Sequence, residues 1–394
     1  MPDDSGSRIA AVDLARGIAM LGVALVNVHA FAAVWSSVYG LDLARTMADV
    51  VAETVTAMLF THRSYPVLAF LFGAGLAWQW TRHAGGAEPK HEPHRNLRPR
   101  LWALLVIGVV HGLLLWPGDV LAAYAVIGLL LVALFQRSDR TILAATLTAY
   151  GATALLYLML GSAMIATGGA PFVAEEPAAS FAASTLSAAL ALHPAEFWAR
   201  GLVQLLVTDF WAHVLLGMWA GRSGALQRFF GAPFAAPGWA AVGAVLLTLS
   251  SGLELYAARY GGWNAVTLND YGNGLMTLAV LLASLGGLWF WLTVAALWSR
   301  SRFAGGSLAT FVAASGRAPL SQFIGQSIIF ALLFNKSLIG WHGELGRGSY
   351  FLIAVATYAL LGGFLRAWSA SGHAHGPMEM LWRGLTNRLS PPPS

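Results

Sequence analysis

The chain contains no cysteine, which excludes disulfides, iron–sulfur clusters, thiolate zinc sites and a cysteine nucleophile. Charge is scarce as well. Asp, Glu, Lys and Arg make up 10% of the 394 residues, against about 25% in ordinary soluble domains. No Walker loop, GxSxG elbow or HExxH helix occurs, so the common nucleotide, serine-hydrolase and zinc-protease signatures are missing. The start, MPDDSGSRIAAVD, is short and acidic and lacks a basic n-region and a small-residue cleavage site. We expect no removable signal peptide there, and the first helix itself as the insertion signal.

What the chain has instead is apolar: 57% of its residues are hydrophobic. Apolar segments near 14–34, 65–82, 101–117, 119–136, 142–163, 202–221, 238–257, 275–298, 318–335 and 350–368 are each long enough, with tilt, to cross a hydrocarbon core of ~30 Å. The stretch 46–61 is less apolar and predicts an amphipathic helix on the membrane surface. These features predict an all-α polytopic membrane protein of about ten transmembrane helices. It forms a single domain over 1–389, followed by a disordered tail at 390–394.

The net charge of +5 and pI near 9.7 would suggest nucleic acid in a soluble chain, but here the positive-inside rule accounts for them. Arg82, Lys90, Arg95, Arg98, Arg100, Arg137, Arg140, Arg222, Arg228, Arg300, Arg302, Arg366, Arg383 and Arg388 all fall on one side of the ten-span topology. That side, with both termini, is expected in the cytoplasm, and membrane lipids rather than nucleic acid are the surroundings. The longer opposite loops, 164–200 and 258–274, are placed outside, where they can cap a pocket.

Three stretches carry polar groups into apolar segments, where such groups are costly and mark a site by default. The first is DLARGIAMLGVALVNVH from Asp13. Arg16 and Asn27 are eleven residues apart, ~16 Å along a helix and close to three turns, so they share a face with His29 beside them. Snorkelling of Arg16 and a plain interhelical bond from Asn27 are the competing readings. The second stretch runs from Arg98 and Arg100 through LWALLVIGVVHGLLLWPGDV. A Pro117–Gly118 turn brings Asp119, at the start of the next helix, within about two turns of His111. A neutral imidazole oriented by a carboxylate is a general base; alternatively Asp119 only caps its helix and His111 bonds a backbone carbonyl. The third, SGRAPLSQFIGQS from Ser315, places Arg317 before Pro319, with Ser321, Gln322, Gln326 and Ser327 following in an apolar helix. Hydrogen bonding between helices is the alternative for each of these polar groups.

His62, Arg63, Ser64 and Tyr65 form a polar knot before the second segment. Asp209 and His213, four apart, fit a structural ion pair. His91 with His94 and His373 with His375 have metal-compatible spacing without further ligands, so no metal is assigned. Arg16, Arg98, Arg100, Arg317 and Arg383 fall at the inner face, where guanidiniums suit phosphates.

Taken together, DLARGIAMLGVALVN, LAFLFGAG from Leu68, RLWALLVIGVVHGLLLWPGDVLAAYAVIG, LLGMWAGRSG from Leu215, SGRAPLSQFIGQS and HGPMEMLWRGLT from His375 resemble the bacterial YeiB-like membrane proteins, the domain of unknown function 418 family. The resemblance runs nearly the length of the chain. That family is similar to the wider transmembrane acyltransferases, which use cytoplasmic acyl-CoA and an acceptor across the membrane. The resemblance therefore implies a bacterial inner-membrane acyltransferase, moving an acyl group, acetyl first of all, to a hydroxyl or amine. Glycan, lipid or small-metabolite acceptors fit, and a homo-oligomer stays open. Arg16, Arg98, Arg100, Arg317 and Arg383 would hold the CoA phosphates. Asn27 stands where the sugar O-acetyltransferases carry a His. The base then falls to His111 with Asp119, in the family's Gly-x-x-His and Gly-Asp pattern, or to His29. His62, Arg63, Tyr65, Gln322 and Gln326 are the candidates for binding the acceptor. A transporter and a non-enzymatic scaffold are the rival classes.

Overall fold

The computed structural model describes residues 4–32, 46–84, 93–166, 179–207, 209–231, 236–260 and 271–390, which are helical with no strand among them. The chain runs through α1 (Asp4–Ala32), α2 (Met47–Leu59), α3 (Ser64–Ala84), α4 (Pro93–Leu114), α5 (Leu121–Leu131) and α6 (Asp139–Ala166). It continues through α7 (Ala179–Ala182), α8 (Leu186–Val207), α9 (Phe210–Arg222), α10 (Ala225–Gly231) and α11 (Ala236–Tyr260). The last elements are α12 (Tyr271–Arg300), α13 (Ser307–Arg317), α14 (Pro319–Phe334), α15 (Arg347–Ala370) and α16 (Pro377–Leu389).

Helix α1 is the axis of the bundle, packed by α3, α12, α13, α14 and α15. Small residues make this possible. Ala11, Ala15, Ala19 and Ala24 are buried, and a Cβ on Gly17 would collide with the Val312 carbonyl while one on Gly316 would collide with that of Asp13. In a membrane, where apolar burial gives little drive between helices, such close backbone approach is a main source of cohesion. Helices α3 and α9 meet in the same way, with Gly73 under Val214 and Gly217 under Phe70. The outer helices turn apolar stripes outward: Trp102, Val106, Val110 and Leu114 on α4, and Leu352, Leu360 and Phe364 on α15, are exposed. A row at i, i+4 of this kind is a lipid-facing surface.

Five described helices are long and apolar enough to cross a membrane: Ala10–Ala32, Leu97–Leu114, Asp139–Met159, Ala279–Arg300 and Arg347–Ala370. A sixth is formed if the bent pair α13 and α14 counts as one span. Some of the expected ten spans take other forms. The expected 119–136 helix is α5 followed by a 3-10 stretch, Val132–Gln136. The expected 202–221 helix is divided between the end of α8 and α9. The 318–335 helix bends by 87° against α13, because Pro319 fixes its own φ and has no N–H, and Ala318 takes a non-helical φ of −124°.

Helix α2 is amphipathic as expected, but inverted relative to a helix resting on water. Its apolar Met47 and Val51 are exposed, whereas Asp49, Glu53 and Thr56 are buried against the protein. The reason is the start of α15: Arg347 ion-pairs with Glu53, and the Gly348 N–H donates to Asp49 at 2.7 Å. The expected outer loop 164–200 is partly helical. Ser180 of α7 is tied to Glu196 of α8, and α8 packs on the end of α4 and on α5. Asn264, Asn269 and Asp270 of the other loop, and the tail from 391, lie outside the described residues.

Candidate functional site

Two histidine–aspartate pairs stand out, linked through Tyr124 of α5, which packs on Phe210 and bonds the Tyr65 carbonyl. The first is His111, in the last turn of α4, with Asp119 in the turn before α5. His111 Nδ1 and Asp119 Oδ1 are 2.8 Å apart, and both side chains are fully buried. The other carboxylate oxygen accepts the Ala122 N–H at 2.7 Å. Asp119 is therefore both a helix cap and the histidine's partner, one oxygen for each. His111 makes no bond to a backbone carbonyl. Its Nε2 is buried and has no hydrogen-bond partner, and its ring lies 5.2 Å from that of Phe323 on α14. With Nδ1 facing a carboxylate, the proton is assigned to Nδ1 and the lone pair to Nε2.

Gly108 makes this pair possible. A Cβ there would run into the Ala122 backbone nitrogen and lie 2.9 Å from Asp119 Oδ2. The glycine one turn before His111 lets the start of α5 approach α4. On the outer side α8 closes the site: His193 Nδ1 bonds the Leu113 carbonyl at 3.0 Å, and Phe197 fills the space beside Gly112.

The second pair is Asp209 and His213. Asp209 precedes α9, and His213 Nδ1 donates to its main-chain carbonyl at 2.8 Å while standing 3.4 Å from its Oδ2. The Tyr65 hydroxyl donates to Asp209 Oδ1 at 2.6 Å. Both members of the pair are fully buried, and His213 Nε2 has no hydrogen-bond partner. The ring of Tyr150, from α6, stands edge-on to His213 at 5.4 Å, and its buried hydroxyl is also without a hydrogen bond. Phe210 and Tyr124 pack against Tyr65 and against one another. His62 joins this group, edge-on to Tyr65. Burial and the Arg63 charge push its imidazole down to about 4.

The remaining expected site residues divide. Arg63 bonds the Ala57 and Thr61 carbonyls and the hydroxyls of Ser250 and Ser251, which is a structural role. Asn27 is half-buried. His29 is buried edge-on against Tyr350 at 5.8 Å, so its neighbour is α15 rather than His111. Gln322 donates to the Tyr358 carbonyl and Gln326 to that of Met20, and the amide oxygen of each is buried without a partner.

The expected basic residues form two local pairs, Arg16 with Arg317 and Arg100 with Arg383. Arg16 lies 3.9 Å from Asp13, which also feels the charge of Arg317. Arg100 stacks over the Trp382 ring at 4.6 Å and lies within electrostatic reach of Arg383. Arg98 and Arg317 are exposed. Glu379 joins the two pairs, since its carboxylate accepts from the Leu320 and Ser321 N–H groups and the Ser321 hydroxyl. An acid from α16 thereby caps α14, with its charge at the positive end of that helix. Among the described residues no group of three or more His, Asp or Glu is placed to hold a metal.

Residues 220–389 match the family model described as "Protein of unknown function (DUF418)". Over these residues the chain is similar to this family. It is 33% identical over 124 residues to "Uncharacterized protein YeiB" of Escherichia coli (strain K12), covering 30% of this chain and 29% of that one. It is 29% identical over 151 residues to "Uncharacterized protein YxaH" of Bacillus subtilis (strain 168), covering 36% of each. The matches thus span about a third of the curated relatives' lengths. No solved structure matches. The family match includes Arg317, Gln322, Gln326, Glu379 and Arg383, whereas both histidine–aspartate pairs precede it.

Sequence reasoning passed over Tyr150, the Glu53–Arg347 pair and Glu379. A phenol in an apolar run carries little signal by itself. For the two acids the available signal was polarity in the wrong place: Glu53 and Glu379 sit beside apolar residues in amphipathic helices, where a solvated face is the default reading.

Proposed function

We propose that this protein is a membrane-embedded acyltransferase that moves an acyl group from acyl-CoA to a hydroxyl or amine, with the arginine end and both termini in the bacterial cytoplasm. The observation that carries the reading is the buried His111–Asp119 pair with Nε2 uncommitted. In this scheme Nε2 takes the proton from the acceptor's O–H or N–H as that atom attacks the thioester carbonyl. The imidazolium, stabilised by Asp119, then returns the proton to the leaving CoA thiolate. The exposed Arg98 and Arg317, with Arg16, Arg100 and Arg383, supply the guanidiniums for the CoA phosphates. Asn27, half-buried on α1, is the candidate for polarising the carbonyl.

Two measurements test this. Calorimetry of purified protein with acetyl-CoA should show binding that weakens as salt rises, because partly exposed phosphate contacts are screened. Mass spectrometry of envelope glycans and lipids from cells with and without the protein should show an acylated species that disappears. Absence of CoA binding at low salt overturns the enzyme reading.

A transporter is the second reading, and one observation favours it. The 87° break before α14, followed by the unpartnered amide oxygens of Gln322 and Gln326, resembles the interrupted helices that hold solutes in transporters.

A further inference from the structure

The second histidine–aspartate pair is not needed by that scheme, yet it is at least as well built. His213 is fixed by the Asp209 main-chain carbonyl, which assigns the proton to Nδ1 and leaves Nε2 as a lone-pair acceptor. Tyr65 holds the carboxylate from the other side. Three buried polar atoms in this cluster have no hydrogen bond: His213 Nε2, an acceptor, the Tyr150 hydroxyl, which can donate, and Asp209 Oδ2, which lies 3.4 Å from His213 Nδ1. Burying polar atoms without partners is costly, and a ligand that answered His213 Nε2 and the Tyr150 hydroxyl would recover that cost. The walls around them are aromatic, from Tyr65, Tyr124 and Phe210.

An acceptor and a donor on neighbouring rings fit a group that both donates and accepts at one atom. An alcohol does this, giving its O–H to the imidazole and taking the phenol's proton on its oxygen. Aromatic walls suit the C–H faces of a sugar ring or a glyceryl backbone. We propose that His213 and Tyr150, braced by Asp209 and Tyr65, form a second binding site that takes the alcohol group of a sugar or a glycerolipid. If the acyl-transfer reading holds, that alcohol is the acceptor; this role rests on that reading, whereas the binding does not.

The test needs no acyl-CoA, so it stands or fails independently of the enzyme reading. Protein in phosphatidylcholine nanodiscs is treated with diethyl pyrocarbonate, which places an ethoxycarbonyl group on a neutral imidazole nitrogen and releases ethanol and carbon dioxide. Modification of His213 is followed by peptide mass spectrometry, with the unfolded protein as the reference rate. Two probes are compared: N-acetylglucosamine in solution and diacylglycerol in the disc. We expect His213 to react in the folded protein and one probe to slow that reaction at least about fivefold; the effective probe identifies the source of the alcohol. Tyr150→Phe should not lower the melting temperature, since its buried hydroxyl bonds nothing, and should weaken the protection about fivefold, the scale of one hydrogen bond. An unreactive His213, a reaction that neither probe slows, or full protection in Tyr150→Phe would each overturn the proposal.

Discussion

The two histidine–aspartate pairs use the same side chains and are locked in different ways. In the first, eight residues separate the partners across a helix–turn–helix, and the carboxylate itself contacts Nδ1 at 2.8 Å. In the second the partners are four apart, and the contact at 2.8 Å comes from the Asp209 main-chain carbonyl, with the carboxylate at 3.4 Å. The second carboxylate is turned instead toward Tyr65. One aspartate thus stabilises its imidazole through charge, and the other mostly through its backbone. The difference is why the proposed proton transfer is placed at the first pair, because only there does a carboxylate face the imidazole head-on.

The largest expected effect is on that assignment. His111→Ala should leave a folded protein that still binds acetyl-CoA while transfer falls ~10²- to 10⁴-fold. If turnover per folded molecule persists and only the melting temperature drops, the first pair is structural and the comparison collapses. Next in size is Gly108→Ala. Its methyl group would press on Ala122 N and lie 2.9 Å from Asp119 Oδ2, so we expect a loss of about 1–3 kcal/mol in stability from overpacking, with turnover reduced as the carboxylate shifts. Unchanged melting and turnover would show that α5 can move without harm to the pair.

A smaller effect separates the two locks directly. Asp209→Asn should keep His213 in the Nδ1–H form, because the backbone carbonyl remains, while Asp119→Asn should leave His111 in mixed tautomers and reduce transfer by less than His111→Ala does. Nitrogen-15 spectra of labelled histidines decide this, and equal mixing at both sites would erase the distinction. The smallest effect concerns acid. His62, beside the second pair, is lowered from 6.5 to about 4 by burial and by Arg63. The unfolded chain therefore binds the proton first, so stability present above pH ~6.5 is lost as pH falls toward 4. Melting curves across that range should be flatter in His62→Gln, and an identical acid slope would exclude His62 as its source.

The sequence reached the first pair because its signal is local. A histidine one turn after Gly108, a Pro–Gly reversal and an aspartate at the next helix start fix who can meet whom within a dozen residues. Pro319 at the first position of α14 was legible for the same reason. Tyr65 was singled out from its polar neighbours, but its partner Asp209 is 144 positions away, and nothing in either segment names the other. Arg63 reads as polar as Tyr65 does, and yet it serves Ser250 and Ser251 on α11.

What the sequence determined by itself is the solvent and the element type: with 57% hydrophobic residues, 10% charged residues and no cysteine, an all-helical membrane protein is the solution that satisfies its backbone. Tertiary structure alone decided which polar groups are satisfied and which are left open. Period and spacing describe one helix at a time, and in a bundle the partner of a buried acid or imidazole comes from another helix, at a distance along the chain that no local pattern encodes. Glu53 facing Arg347, Glu379 capping α14 and Tyr150 standing beside His213 were settled at that level.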